Sequence, residues 1–215
     1  MAGFVGASED HGARLGRMSA DRHEPPADGS AGLRGVVLVE GVSDHLALAT
    51  LAERRGRDLA ADGVQILPMG GAKNVRRYLE HYGPHGLDVN MAGLCDAREE
   101  DDFRRALERT GLGSALDRSA MEALGFYVCV ADLEAELIRA LGSAEVERVI
   151  EAEGELGSFR TFQQQPAQQG RPHEAQLRRF MGTKGGRKIR CAPLLVAALD
   201  LARVPRPLDG VLAHV

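Results

Sequence analysis

The first run of four apolar residues is Val36-Val37-Leu38-Val39, with no polar position to mark a solvent face. Such a run predicts a parallel strand buried on both sides. Glu40-Gly41 ends it, and Ser43 is placed to N-cap a helix from Asp44 to about Arg55, closed by Gly56. A second strand is expected at Val64-Gln65-Ile66-Leu67-Pro68-Met69, then Gly70-Gly71 and a helix near Lys73 to Tyr82. Met91-Ala92-Gly93-Leu94-Cys95 reads as a third strand running into Asp96, with a charged helix to Arg109. The fourth, Phe126-Tyr127-Val128-Cys129-Val130, runs into Asp132 and a helix from Leu133 to about Leu141. Strand and helix alternate four times, so the fold class is α/β: an open, mainly parallel sheet with flanking helices. Residues 143–190 are polar and partly helical, with a turn at Pro166, and a last helix is expected from Pro193 to Leu201. The expected organisation is a disordered leader over 1–33, a core over 34–142 and a helical, basic C-terminal extension over 143–215. The leader has Pro25-Pro26, no hydrophobic period and no signal-peptide apolar core, and Met18 is an alternative start.

Composition narrows the class. At 215 residues with 44% hydrophobic and 27% charged positions, the chain can fold without staples. No apolar stretch is long enough to span a membrane. Aromatics are 4% with no Trp, which argues against base-stacking platforms. Cys95, Cys129 and Cys191 are widely separated and form no C-x-x-C pair, so reduced thiols in a cytoplasmic protein are expected. The net charge of −4 conceals an asymmetry. From Leu156 to Arg190 there are eight basic residues and one acid, leaving the rest of the chain at −11. An acidic body with a basic segment suits metal ions in one place and polyanions in another.

The acids stand where open α/β sheets place their sites, beyond the carboxyl ends of strands. Glu40, Asp96 and Asp132 follow the first, third and fourth strands; Asp44 and Glu134 lie just beyond. Singly, an Asp after a strand is a cap or turn former. Five carboxylates converging on one rim would repel one another unless hard cations neutralise them, which favours Mg²⁺ or Mn²⁺.

These residues carry a resemblance. Val36 to Asp44 resembles the first motif of the TOPRIM domain of topoisomerases, primases and certain nucleases, and Gly93-Leu94-Cys95-Asp96 resembles the second. That motif is usually Asp-x-Asp; here Arg98 stands in the third place, so one metal ligand of the family pattern is missing. Asp132-Leu133-Glu134 is similar to the signature of the C-terminal nuclease half of OLD-family (overcoming lysogenization defect) proteins. Gly186-Arg187-Lys188 is similar to the part of that half that supplies a lysine. The resemblance spans about residues 34–202. It implies a metal-dependent DNA endonuclease with a TOPRIM/Rossmann-like core, Glu40, Asp96 and Lys188 at its catalytic centre, and Glu40, Asp44, Asp96, Asp132 and Glu134 as ligands to two ions. Lys184 is the alternative to Lys188.

The DNA footprint is expected on Arg171, Arg178, Arg179, Lys184, Arg187, Lys188 and Arg190, the other reading being a solvated helix face. OLD proteins usually carry an ABC-type ATPase, but neither Gly70-Gly71-Ala72-Lys73 nor Gly182-Thr183-Lys184-Gly185-Gly186 satisfies G-x-x-x-x-G-K-[ST], so no ATP site is expected on this chain. Either a separately encoded ATPase works with it or it acts alone; homodimerisation is a further expected association, and a membrane is not. Arg98 keeps open a non-cleaving module that binds nucleic acid or scaffolds partners. A receiver-like phosphoacceptor at Asp96 fits poorly with Asp132-x-Glu134. The acidic run Arg98 to Asp102 is expected to be solvated, Gly83-Pro84 disfavours a helical His81/His85 metal pair, and the Gln cluster at 163–169 is expected to be a polar loop.

Overall fold

The computed structural model describes residues 32–215, so nearly all of the expected leader lies outside the described residues. Four strands, β1 (Gly35–Val39), β2 (Val64–Pro68), β3 (Asn90–Asp96) and β4 (Phe126–Cys129), form one all-parallel sheet in the order β2-β1-β3-β4. From β1 the chain moves outward to β2, then returns to place β3 on the other side. The order therefore reverses between β1 and β3, whose carboxyl ends carry Glu40 and Asp96. A crevice opens at such a reversal.

The helices in the first half are α1 (Val42–Arg54), α2 (Val75–Tyr82), preceded by a 3₁₀ turn at Ala72–Asn74, α3 (Glu100–Arg109) and α4 (Arg118–Ala123). After β4 come α5 (Leu133–Leu141), α6 (Ser143–Ala152), α7 (Leu156–Gln163), a 3₁₀ turn at Pro166–Gln168, α8 (His173–Met181), α9 (Arg187–Ala198), a 3₁₀ turn at Leu201–Arg203 and α10 (Arg206–His214).

Alternate residues of β1 feed two separate cores. Val36 and Leu38 pack with α2, α3 and α4 through Tyr78, Leu79, Phe103 and Met121. Val37 and Val39 join a larger core with Leu48 and Leu51 of α1, Leu137 of α5, Phe159 and Phe180 of α7 and α8, Leu195 of α9 and Val211 of α10. The helices after residue 142 thus share a core with the sheet, and Arg54 of α1 donates to the Val196 and Leu199 carbonyls at the end of α9.

Several boundaries differ from the sequence expectation. Ser43 does not cap α1; the helix starts at Val42, and Asp44 Oδ2 accepts the Gly41 N–H at 2.9 Å. The helix α4 is too short for its period to show in sequence, and Asp117 caps it by accepting the Ala120 N–H at 2.7 Å. Pro193 lies inside α9 rather than at its start, because left-handed Gly186 turns the chain into a helix beginning at Arg187. The proline costs that helix one hydrogen bond. The last helix is α10.

Gly93 sits in β3 where a Cβ would lie 2.6 Å from the ring of Phe126 and 3.3 Å from Phe103, both fully buried. Because the added methyl would push two rings buried in the core, Gly93→Ala should lower unfolding stability by about 1–3 kcal/mol. Urea titration followed by circular dichroism measures this.

Candidate metal and acid cleft

A cleft of about 370 Å³ opens at the carboxyl edge of β1 and β3. It is lined by Glu40, Gly41, Ser43 and Asp44 from the β1–α1 connection, Gly70 and Gly71 after β2, Asp96 and Arg98 after β3, Glu134 of α5 and Lys188 of α9. Buried β1 cannot shift without moving its core, so it fixes Glu40 one residue past the last paired position. The Glu40 carbonyl accepts N–H groups from both Gly70 (3.0 Å) and Gly71 (3.1 Å). Both glycines have positive φ, 70° and 124°, a conformation that lets the loop wrap that carbonyl.

One carboxylate oxygen each from Glu40, Asp96 and Glu99 lie within 4.8 Å of one another, a spacing suited to a shared cation. Glu99 Oε1 forms an ion pair with Arg98 Nε at 2.9 Å, while its Oε2 is buried with no hydrogen-bond partner among the described residues. A buried carboxylate oxygen left bare costs free energy that a bound cation would recover. Three hard oxygen donors and one orphan oxygen fit a divalent ion of the Mg²⁺ or Mn²⁺ type.

The electrostatics agree. Burial, with the charges of Asp44, Asp132, Glu40 and Glu99, pushes Asp96 up to about 7. Burial also raises Asp44 to about 6; the Gly41 N–H opposes this, while Glu134 and Glu40 add to it. Glu40 is raised by burial and by Glu99, with Arg98 and Lys188 pulling the other way. Partial burial works against the Lys188 ammonium, but its 2.8 Å bond to Glu134 Oε2, with the charges of Glu134, Asp132 and Asp96, outweighs that and raises its pKa.

Of the five expected ligands, Glu40, Asp44, Asp96 and Glu134 line the cleft together. Asp132 is not among its lining residues. One of its oxygens caps α5 through the Ala135 N–H at 2.9 Å and the other is held by Arg178 at 2.6 Å. Ala131 before it has φ 80°, strained for a residue with a side chain, and its carbonyl accepts the Ala97 N–H at 3.3 Å, tying the β4 turn to the β3 turn. Glu99, expected to be solvated with its neighbours, is instead an inward-facing member of the acid cluster. The one available signal was its place as the next acid after Arg98, one residue beyond the usual Asp-x-Asp spacing.

Most of the expected basic footprint is engaged within the protein. Arg178 pairs with Asp132, and Lys188 with Glu134. Lys184 (3.9 Å), Arg187 and Arg190 (3.1 Å) converge on Glu155. Arg187 is 5% exposed, so it offers no surface to a ligand. Its guanidinium lies 3.8 Å over the Phe180 ring and bonds the Phe180 carbonyl and Thr183. Its gain from an aromatic face and bonds to Glu155, Phe180 and Thr183 outweighs hydration. Arg171 bonds the Ala167 carbonyl, and Arg179 is exposed on α8. The Gln cluster is part of the structure rather than a free loop: Gln168 is buried, and Gln163 and Gln176 bond each other at 2.7 Å.

Residues 33–97 match the family model described as the TOPRIM domain of overcoming lysogenization defect protein-like proteins. Two structures of the C-terminal region of the Xanthomonas campestris pv. campestris OLD protein superpose with TM-scores of 0.66 and 0.67, at 26% and 25% identity. They cover 85–86% of this chain and 94% of their own. The C-terminal region of the Burkholderia pseudomallei OLD protein shares the fold at a TM-score of 0.66 and 21% identity, covering 85% of this chain and 96% of its own. No curated protein sequence matches the chain.

Two outcomes follow from the site. Because the folded-state pKa values of Asp44 and Asp96 lie above the ordinary carboxylate value, the metal-free native state binds more protons than the unfolded one between about pH 4 and 7. These groups therefore make stability fall as pH rises through that window. In EDTA their contribution to Tm should decline from pH 5 to 7.5; Mn²⁺ should restore Tm at pH 7.5, and less so for Glu99→Gln. Separately, Arg187→Ala should cost about 1–3 kcal/mol by leaving the buried Phe180 carbonyl without its donor and uncovering the Phe180 ring, Glu155 keeping Arg190 and Lys184, whereas exposed Arg179→Ala should stay within about 0.5 kcal/mol of the parent in the same urea titration.

Proposed function

Starting from a TOPRIM-domain protein that resembles the C-terminal region of OLD proteins, we propose that it is a divalent-metal-dependent endonuclease that hydrolyses phosphodiesters in DNA. The observation that carries this reading is the meeting of Glu40, Asp96 and Glu99 within 4.8 Å at the mouth of the sheet. Those three residues would hold one cation. Asp44 and Glu134, which line the same cleft, are the donors left for a second. Bound there, a divalent ion supplies an activated water and charge stabilisation at the scissile phosphate.

The protein's own groups do the rest. Lys188, fixed by Glu134 on the cleft wall, presents a positive charge where the phosphorane would build negative charge. Arg98, largely exposed and paired with Glu99, can reach a phosphate oxygen from the rim. Asp132 acts through position: it anchors Arg178 and starts α5, the helix that carries Glu134. The three cysteines are buried and unpaired, in keeping with a reducing, cytoplasmic setting, and no helix among the described residues is long and apolar enough to cross a membrane. DNA is the proposed partner, with a separately encoded ATPase and self-association as further proposals.

A non-cleaving module that binds nucleic acid is favoured by one observation: Arg98 holds the third position of the Asp-x-Asp motif and places a cation beside Asp96, 3.8 Å away. Glu99, one residue on, supplies an acid to the same cluster and so favours cleavage. Supercoiled plasmid incubated with Mg²⁺ or Mn²⁺ decides between them. Nicking or linearisation that EDTA abolishes is expected, with Glu40→Ala and Lys188→Ala each slowed by about 100-fold or more. Metal-independent DNA retention without cutting would replace the nuclease with the binding module.

A further inference from the structure

A second groove, of about 310 Å³, lies between the Ala72–Asn74 turn with α2 on one side and α3 on the other. Its charged lining is Lys73, Arg76, Arg105 and Arg109 against the single acid Asp102. Arg76 is paired with Glu80 (3.2 Å) and Arg105 with Asp102 (2.7 Å). Lys73 and Arg109 are exposed and have no ion-pair partner among the described residues. None of these cations belongs to the basic segment 156–190.

The groove and the acid cleft are lined by consecutive stretches of the same two segments. On one side Gly70 and Gly71 line the cleft, and the next residues, Ala72 and Lys73, line the groove. On the other, Glu99 of the acid cluster precedes α3, and its carbonyl accepts the N–H of Asp102, a groove residue, at 2.9 Å. Arg105 and Arg109 stand one turn apart along the continuing face of that helix, and α3 packs directly on the 3₁₀ turn. The cations of the groove therefore follow directly, on both segments, the residues that form the acid cleft.

We propose that this groove is the track for the nucleic-acid phosphate backbone flanking the acid cleft, with Lys73 and Arg109 as its principal phosphate contacts. The inference rests on the acid cleft being a nucleic-acid site. A polyanion cannot be drawn by the acid cleft itself, whose Lys188 is held by Glu134 at the reacting centre, and on the other flank Arg178, Lys184, Arg187 and Arg190 are paired with Asp132 and Glu155. Free cations beside the cleft are the groups able to replace counterions on phosphate, and they do so without reading sequence.

The test is equilibrium binding of a fluorescently labelled DNA duplex by anisotropy in EDTA, where no cleavage occurs, across a salt series. It compares the wild type with Lys73→Gln/Arg109→Gln and with Arg171→Gln/Arg179→Gln. The groove double variant should bind about tenfold or more weakly near 0.1 M salt, with its log–log salt slope shallower by about 2, one phosphate per cation removed. The Arg171/Arg179 pair should change neither. Loss in that pair with the groove variant unchanged would overturn the groove and leave the nuclease reading standing. Wild-type protein that binds no DNA and cuts no plasmid would remove both.

Discussion

The structure turns on carboxylates that a buried sheet forces together. Val36 to Val39 have no exposed face, and β3 lies in register beside them. Neither Glu40 nor Asp96 can retreat from the other without breaking that packing. Burial and mutual repulsion raise Glu40, Asp44 and Asp96 above the usual carboxylate range. The fold answers with fixed counter-charge: Lys188 on Glu134, Arg178 on Asp132, Arg98 on Glu99. That compensation is incomplete, since Glu99 Oε2 stays bare. What remains uncompensated is what a proton or a divalent cation would take up.

The same accounting explains why α8 and α9 are basic. The acids at the sheet mouth, together with Glu155, need partners that arrive from outside the sheet, and the C-terminal helices bring them. A segment at +7 on paper is largely consumed in ion pairs once folded. Net charge along a sequence therefore identifies the supply of cations and says little about their destination.

This also marks where sequence was legible. The first strand announced itself because two-sided burial leaves a β-branched run with no polar break, and the acids after β1 and β3 could be placed at the crevice from the alternation of strands and helices. Glu99 was hidden because it stands among Arg98, Glu100, Asp101 and Asp102, a run whose helical spacing matches a solvated face; only the turn preceding α3 rotates it inward. Arg187 was hidden because its depth depends on Phe180 and Glu155, contributed by α8 and the α6–α7 connection. Pro193 misled because a proline reads as a helix start, while Gly186 had already turned the chain.

Glu134 is where these demands compete most directly. Its Oε2 accepts from Lys188, and the residue is 3% exposed. A cation at the cleft would have to share the carboxylate with that ammonium or take the other oxygen. Sharing weakens the hold on Lys188, the group proposed to meet the phosphate, which must be positioned to do so. Binding through the other oxygen keeps both. Glu40, Asp96 and Glu99 carry no such double duty toward a lysine, and Arg98 meets Glu99 on Oε1 and leaves the buried Oε2 bare. Charge economy thus favours that trio as the primary ion site. Glu134 then serves first as the anchor of the lysine, and its value to a second ion depends on the oxygen Lys188 leaves open.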